Sequence, residues 1–307
     1  ASIGCPFNCS FCYNSIRGRR AERDPESILN EITILQREYG VNFFRLNDEL
    51  FFCNKQKIEK FIELKKMKKL KFNWEANGHV TFLKDNKFYS DEFLRELRKE
   101  GLIRTAVGAE SGSLEQLKRY RKNITPEEII KTAERMERLK IKTLFSFMIG
   151  APYETYNDMV ETIRLIYKIK MVSPEYSIIQ YPQIFRPYPG CDLYKEAVKL
   201  GFENRNSLKE WENVSVLTGY TSYNDLPYLN NILEKIFDIL YYYKFIKFLF
   251  TLNFTRHLLK TKIAYAFFCN KFSIKYGGFV IKKTLENKLF DNFISKKIFG
   301  RSLINVR

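Results

Sequence analysis

Cys5, Cys9 and Cys12 stand in the run Cys5-Pro6-Phe7-Asn8-Cys9-Ser10-Phe11-Cys12, a CxxxCxxC spacing that puts three soft sulfur donors in one short loop. Three thiolates can hold three irons of a cubane and leave the fourth iron open, and a chelating amino acid can fill that position through its amino and carboxylate groups. A closed structural zinc site would ask for four protein ligands, usually as two separated pairs. No second pair is visible: His79 and His257 are isolated, and Cys53, Cys191 and Cys269 have no companion at ligand spacing. The cysteines therefore predict an open iron–sulfur centre. One tight cluster plus three singletons also suits a reducing, cytoplasmic compartment better than an extracellular disulfide framework.

Such a loop needs a scaffold on which other groups can converge. From Gly4 to about Gly201, apolar, β-branched or aromatic runs alternate with amphipathic helical segments, the pattern of a parallel sheet covered by helices. Strands are expected over 41–47, 71–76, 103–108, 142–149 and 175–185, after a first strand that ends at Ile3-Gly4. Asp24-Pro25, Ser90 and Thr125-Pro126-Glu127-Glu128 carry helix-start chemistry, the last as a capping box. Six such units predict an α/β fold, a partial (β/α)6 barrel with a parallel sheet rather than a closed eight-fold one, with ligands at the carboxyl ends of the strands. Residues 1–201 form the expected core, truncated at its N-terminus because the motif arrives after only four residues, and 202–307 a basic, aromatic-rich helical cap.

With an aromatic residue before its last cysteine, the motif resembles the radical S-adenosylmethionine (SAM) superfamily, and the resemblance runs over about residues 1–201. Arg17-Gly18-Arg19-Arg20, the Pro25-Glu26-Ser27 helix start, Asn47-Asp48-Glu49-Leu50-Phe51 and Gly108-Ala109-Glu110-Ser111-Gly112-Ser113 look like the branch whose members commonly carry an upstream cobalamin-binding domain. So do Gly150-Ala151-Pro152-Tyr153-Glu154-Thr155 and Pro187-Tyr188-Pro189-Gly190-Cys191. The resemblance implies a [4Fe–4S] cluster on Cys5, Cys9 and Cys12 with SAM on the open iron. It implies reductive cleavage of SAM to methionine and a 5′-deoxyadenosyl radical, an electron donor such as flavodoxin or ferredoxin, and methyl transfer or related radical chemistry as the outcome.

It also implies SAM contacts: Asp48 and Glu49 toward the amino group, Glu110 with Ser111 near the ribose or methionyl part, Gly150 and Pro152 shaping the pocket, and Phe11 against adenine. Asn77 would face SAM or substrate, and Ser146 can face the pocket by strand alternation. Cys53 and Cys191 are expected to be structural, and His79 has no partner in the sequence that would argue for acid–base work. No residue is assigned to the chemical step itself.

The chain carries 52 Lys and Arg against 35 Asp and Glu, a net +17, and residues 228–307 alone hold 15 against 4. A basic, aromatic tail could meet nucleic acid or a membrane surface. That leaves two other function classes: a methylthiotransferase acting on tRNA or protein, and a non-enzymatic, metal-stabilised binding module. The first lacks its family's extra cysteine-bearing domain and RNA-binding barrel here. No charged-then-apolar leader and no apolar run of roughly 18 residues occurs, so the sequence indicates neither secretion nor membrane spanning. No cobalamin-binding segment is visible.

Overall fold

The protein is described by a computed structural model covering residues 1–13, 20–205 and 207–211. The expected helical cap over 202–307 lies almost wholly outside the described residues, apart from a short turn, and so do Cys269 and His257.

The chain opens with β1 (Ser2–Ile3) and β2 (Ala21–Glu22), paired antiparallel. There follow α1 (Pro25–Tyr39), β3 (Phe43–Leu46), α2 (Lys55–Met67), β4 (Asn73–Gly78), α3 (Val80–Leu83), α4 (Asp91–Lys99) and β5 (Leu102–Glu110). The remainder is α5 (Leu114–Arg119), α6 (Pro126–Leu139), β6 (Lys142–Ile149), α7 (Tyr156–Val172), β7 (Ser177–Ile179), β8 (Gln183–Ile184), α8 (Asp192–Lys199) and α9 (Leu208–Trp211). The main sheet is parallel in the order β3-β4-β5-β6-β7, with β8 also parallel to β6. This is the expected α/β architecture of strands joined by helical crossovers.

Two expectations are corrected. The segment ending at Ile3-Gly4 does not add a strand to the parallel sheet; it pairs with β2. The expected strand over 175–185 is two short ones, because Pro182 has no N–H to give to a ladder. The chain leaves β6 after the Gln180 N–H bond to Phe145 O and returns with the Phe185 N–H bond to Ile149 O. Strand β4 also runs two residues further than expected, carrying Asn77 and Gly78 into register with Ala106 and Val107.

The helix starts follow their cap chemistry. Asp24 accepts from the N–H groups of Glu26 and Ser27, Ser90 accepts from Phe93, and Thr125 forms a reciprocal capping box with Glu128. The residues of β5 and β6 alternate in burial: Thr105, Val107 and Ala109, and Thr143, Phe145, Phe147 and Ile149, are buried, whereas Ala106, Gly108, Leu144, Ser146 and Met148 on the other face are only half-buried. Helices thus close one face tightly and the other remains accessible. At the β3–β4 side the core is aromatic. Trp74 meets Phe51 and Phe61, each at 5.7 Å between ring centroids, and its Nε1 donates to Glu100 O at 3.1 Å. Burying each such ring contributes about 1.5–3 kcal/mol.

Candidate functional site

The cysteine loop lies between β1 and β2 and is clamped from three directions. At its start, the Gly4 N–H donates to Glu49 Oε2 at 3.0 Å and Arg20 Nη1 donates to Gly4 O at 2.9 Å. In its middle, the Ser10 N–H donates to Tyr120 O at 3.1 Å and Ser10 Oγ to Arg119 O at 2.6 Å, both at the C-terminal end of α5. Ser10 O in turn accepts from the Leu193 N–H in the first turn of α8, at 2.9 Å. Phe7 stacks on His79 at the end of β4, with centroids 4.2 Å apart and planes at 21°, and Phe11 meets the edge of Tyr120 at 5.2 Å. A loop with no regular ladder of its own is thereby held beside the carboxyl ends of β4 and β5.

Within it Cys9 is buried and Cys5 and Cys12 are half-buried. None of the described cysteines is in a disulfide. Burial pushes the Cys9 thiol up to about 11, with the Lys122 ammonium acting in the opposite sense; Cys5 is also raised, again chiefly by burial. Metal binding to these sulfurs must therefore displace protons, which a cationic metal can do. Among the described residues no group of three or more His, Cys, Asp or Glu side chains converges as a single ion would require. Thiolates held by separate irons of a cubane need not converge, so the donor set fits a cluster.

The carboxylates at the end of β3 turn toward the N-terminal segment. Asp48 is 1 % exposed and its carboxylate is hydrogen-bonded by Ser2 Oγ. Asn77 donates through Nδ2 to Asp48 O at 2.7 Å and accepts the Phe51 N–H at 3.0 Å, which locks the ends of β3 and β4 together. Asp48, Glu49 and Asn77 thus all make hydrogen bonds around the start of the cysteine loop.

The end of β5 is different. The strand register slips between Gly108 and Glu110, and Glu110 takes a left-handed backbone with φ +64°. Its Oε1 is 3.2 Å from Lys122 Nζ, and both side chains are largely buried. Burial works against the Lys122 charge, yet Glu110 and the cysteines hold its pKa above the ordinary lysine value. Lys122 was not singled out by the sequence; a lysine in Arg121-Lys122-Asn123 reads as a solvated turn residue. Ser146 faces the same region across the ladder, in register with Gly108.

Ser111 is directed elsewhere. It is fully buried, pairs with Thr162 Oγ1 at 3.1 Å, and accepts the Ser113 N–H at 3.1 Å. Gly112 lets this loop press on α7, since a Cβ there would stand 2.1 Å from Glu161 O. Ser111 thus binds β5 to a helix.

At the end of β6, Gly150 has φ +75° and Pro152 is buried. Their loop is held from beneath by Glu154, whose Oε2 accepts the Ala151 N–H at 3.1 Å while Oε1 is buried with no partner. Burial pushes the Glu154 carboxyl up to about 8, against the lowering effect of the Ala151 and Gly150 N–H groups. His79 is buried and its Nδ1 accepts the Thr81 N–H at 3.2 Å. Burial, helped by the Lys122 charge, drives its pKa down to about 3, so the ring is neutral. Cys53 and Cys191 are held as thiols by burial, and Cys191 makes no side-chain cap to α8.

The family model for the radical SAM superfamily matches residues 2–166. An uncharacterized methyltransferase of Pyrococcus horikoshii is 29 % identical over 199 residues, 64 % of this chain and 41 % of that protein. The anaerobic magnesium-protoporphyrin IX monomethyl ester cyclase of Cereibacter sphaeroides is 32 % identical over 197 residues, 63 % of this chain and 30 % of that protein. The chain thus spans less than half the length of these relatives. Among solved structures, the radical SAM methyltransferase TsrM of Kitasatospora setae, determined with cobalamin and a [4Fe–4S] cluster bound, matches with TM-score 0.53 at 15 % identity, covering 64 % of this chain and 35 % of that one. That likeness concerns the fold.

Proposed function

The chain belongs to the radical SAM superfamily, whose members bind a [4Fe–4S] cluster and SAM, and from that premise we propose that Cys5, Cys9 and Cys12 ligate the cluster while the ends of β5 and β6 receive SAM. When bound, the cluster supplies one electron to the SAM sulfonium, giving methionine and a 5′-deoxyadenosyl radical for hydrogen abstraction. The observation that carries this is the clamping of the cysteine loop beside the buried Glu110–Lys122 pair.

The chain's own residues bind and orient. Ser10 fixes the loop, and the Gly4 contact to Glu49 fixes its entry. Glu110 presents a carboxylate to the polar hydroxyl or ammonium groups of SAM, Phe11 offers a ring edge to adenine, and Gly150 and Pro152 shape the wall beside Ser146. Asp48 and Asn77 support that arrangement from behind. Burial of these groups limits the water that would quench a radical.

The reaction beyond SAM cleavage is methyl transfer to carbon or a related radical step on a cobalamin-associated enzyme, with cobalamin carried by a domain outside this chain. The methyltransferase and cyclase relatives support that assignment. A flavodoxin or ferredoxin is the proposed electron donor. Among the described residues no helix is long and apolar enough to cross a membrane. Anaerobic reconstitution tests the core reading: about four irons and four sulfides per chain, with 5′-deoxyadenosine formed from SAM on reduction, is expected. Zinc uptake without iron would overturn it.

A further inference from the structure

The turn that delivers Lys122 is built against backbone preference. Arg121 and Asn123 on either side of it both take left-handed conformations, φ +53° and +49°, which an arginine resists and an asparagine tolerates. The Lys122 N–H still bonds back to Leu117 O at 3.0 Å, and its side chain turns inward to 6 % exposure. There its ammonium stands 3.2 Å from Glu110 Oε1 and 5.9 Å from the centroid of the Phe11 ring. Strand β5 is cleared for the pair: a Cβ on Gly108 would lie 1.9 Å from Glu110 Oε1 and 2.8 Å from Lys122 Nζ.

The same turn grips the cysteine loop, since Tyr120 O and Arg119 O are the two acceptors of Ser10. The ammonium is therefore tied to the segment that carries the sulfurs. A lysine that served only to neutralise Glu110 would need no contact with the cysteine loop; this one also stands over the ring of Phe11, which lies between Cys9 and Cys12 in the chain.

We propose that Lys122 is a positioning residue that sets how readily the cluster accepts its electron, with Glu110 fixing the ammonium in place. Reduction adds one electron and one negative charge to the cluster, with no bond formed and no proton moved. A buried cation nearby favours that state strongly, because little water lies between the charges to screen them. Nearby charge and hydrogen bonding are among the protein's means of setting such potentials. The inference rests on the ligation proposed above.

Potentiometric titration of the reconstituted chain without SAM, followed by the electron paramagnetic resonance signal of the reduced cluster, tests it. Lys122→Met should move the midpoint to more negative potential, lowering the reduced-to-oxidised ratio at the wild-type midpoint about tenfold, or about 59 mV for a one-electron couple. Lys122→Arg should restore most of the wild-type value. Glu110→Gln should move the midpoint the other way, since the ammonium then faces the cluster uncompensated, and the double variant should fall between. If Lys122→Met fails to hold a cluster, the sign of the Glu110→Gln shift decides: an unmoved or falling midpoint overturns the proposal. A wild-type chain that takes up iron and sulfide but shows no Lys122→Met shift removes this inference alone. A wild-type chain that takes up no cluster removes the ligation reading as well.

Discussion

The ends of β3 and β5 each carry an acidic residue at a strand terminus, yet they do different work. Asp48 faces β1, where Ser2 bonds its carboxylate. Glu110 faces a buried lysine beside the cysteines. The difference comes from what arrives at each strand from elsewhere in the chain. At β3 it is the segment of β1; at β5 it is a turn twelve residues further on, bringing Lys122. A carboxylate at a strand end thus takes its partners from whatever folding brings against it.

Removing a ligand should have the largest effect. Cys9→Ser is expected to abolish SAM cleavage, measured as 5′-deoxyadenosine, and to lower bound iron; retained cleavage would break the assignment of the β5 side as the reactive one. Next come the two carboxylates themselves. Asp48→Ala should cost about 1–3 kcal/mol in urea unfolding by orphaning buried partners, and should reduce the fraction of chains that hold a cluster, without changing SAM affinity per cluster. Glu110→Ala should do the reverse, weakening SAM binding by equilibrium dialysis at unchanged iron content. Equal SAM affinity losses in both variants would erase the distinction between the two ends.

The end of β6 supplies a pH test. Glu154 is raised from 4.5 to about 8 by burial, so between those values the folded chain keeps a proton that the unfolded chain has released. Its stabilising contribution is complete below about pH 4.5 and is lost as pH rises through about 8. Stability of the wild type relative to Glu154→Gln should therefore fall across that window, by a few kcal/mol at most; a flat difference would remove the carboxyl as the loop's support. The smallest effect is expected far from both strand ends, where Thr125→Ala breaks the capping box of α6 and costs about 1 kcal/mol in thermal or urea unfolding without changing iron content.

Local chemistry made much of this legible in the sequence. The caps at Asp24, Ser90 and Thr125 depend on side chains that bond to their own backbone two or three residues away, so the helix starts could be read directly. The cysteine spacing likewise placed three thiols in one short loop. Strand limits were less accessible. Whether Asn77 belongs to β4 depends on its pairing with Ala106, and whether 175–185 is one strand depends on Pro182 meeting the ladder of β6.

By itself, then, the sequence determined the α/β alternation, the helix starts and the three cysteines in one loop, because each arises from residues near in the chain. Only the tertiary structure shows Ser111 bonded to Thr162 of α7 and Asp48 bonded by Ser2 and Asn77. It alone also showed that Lys122 shares the buried site with Glu110. Each of those assignments depends on a partner 12 to 51 residues away, and a side chain's role is set by the group that folding places against it.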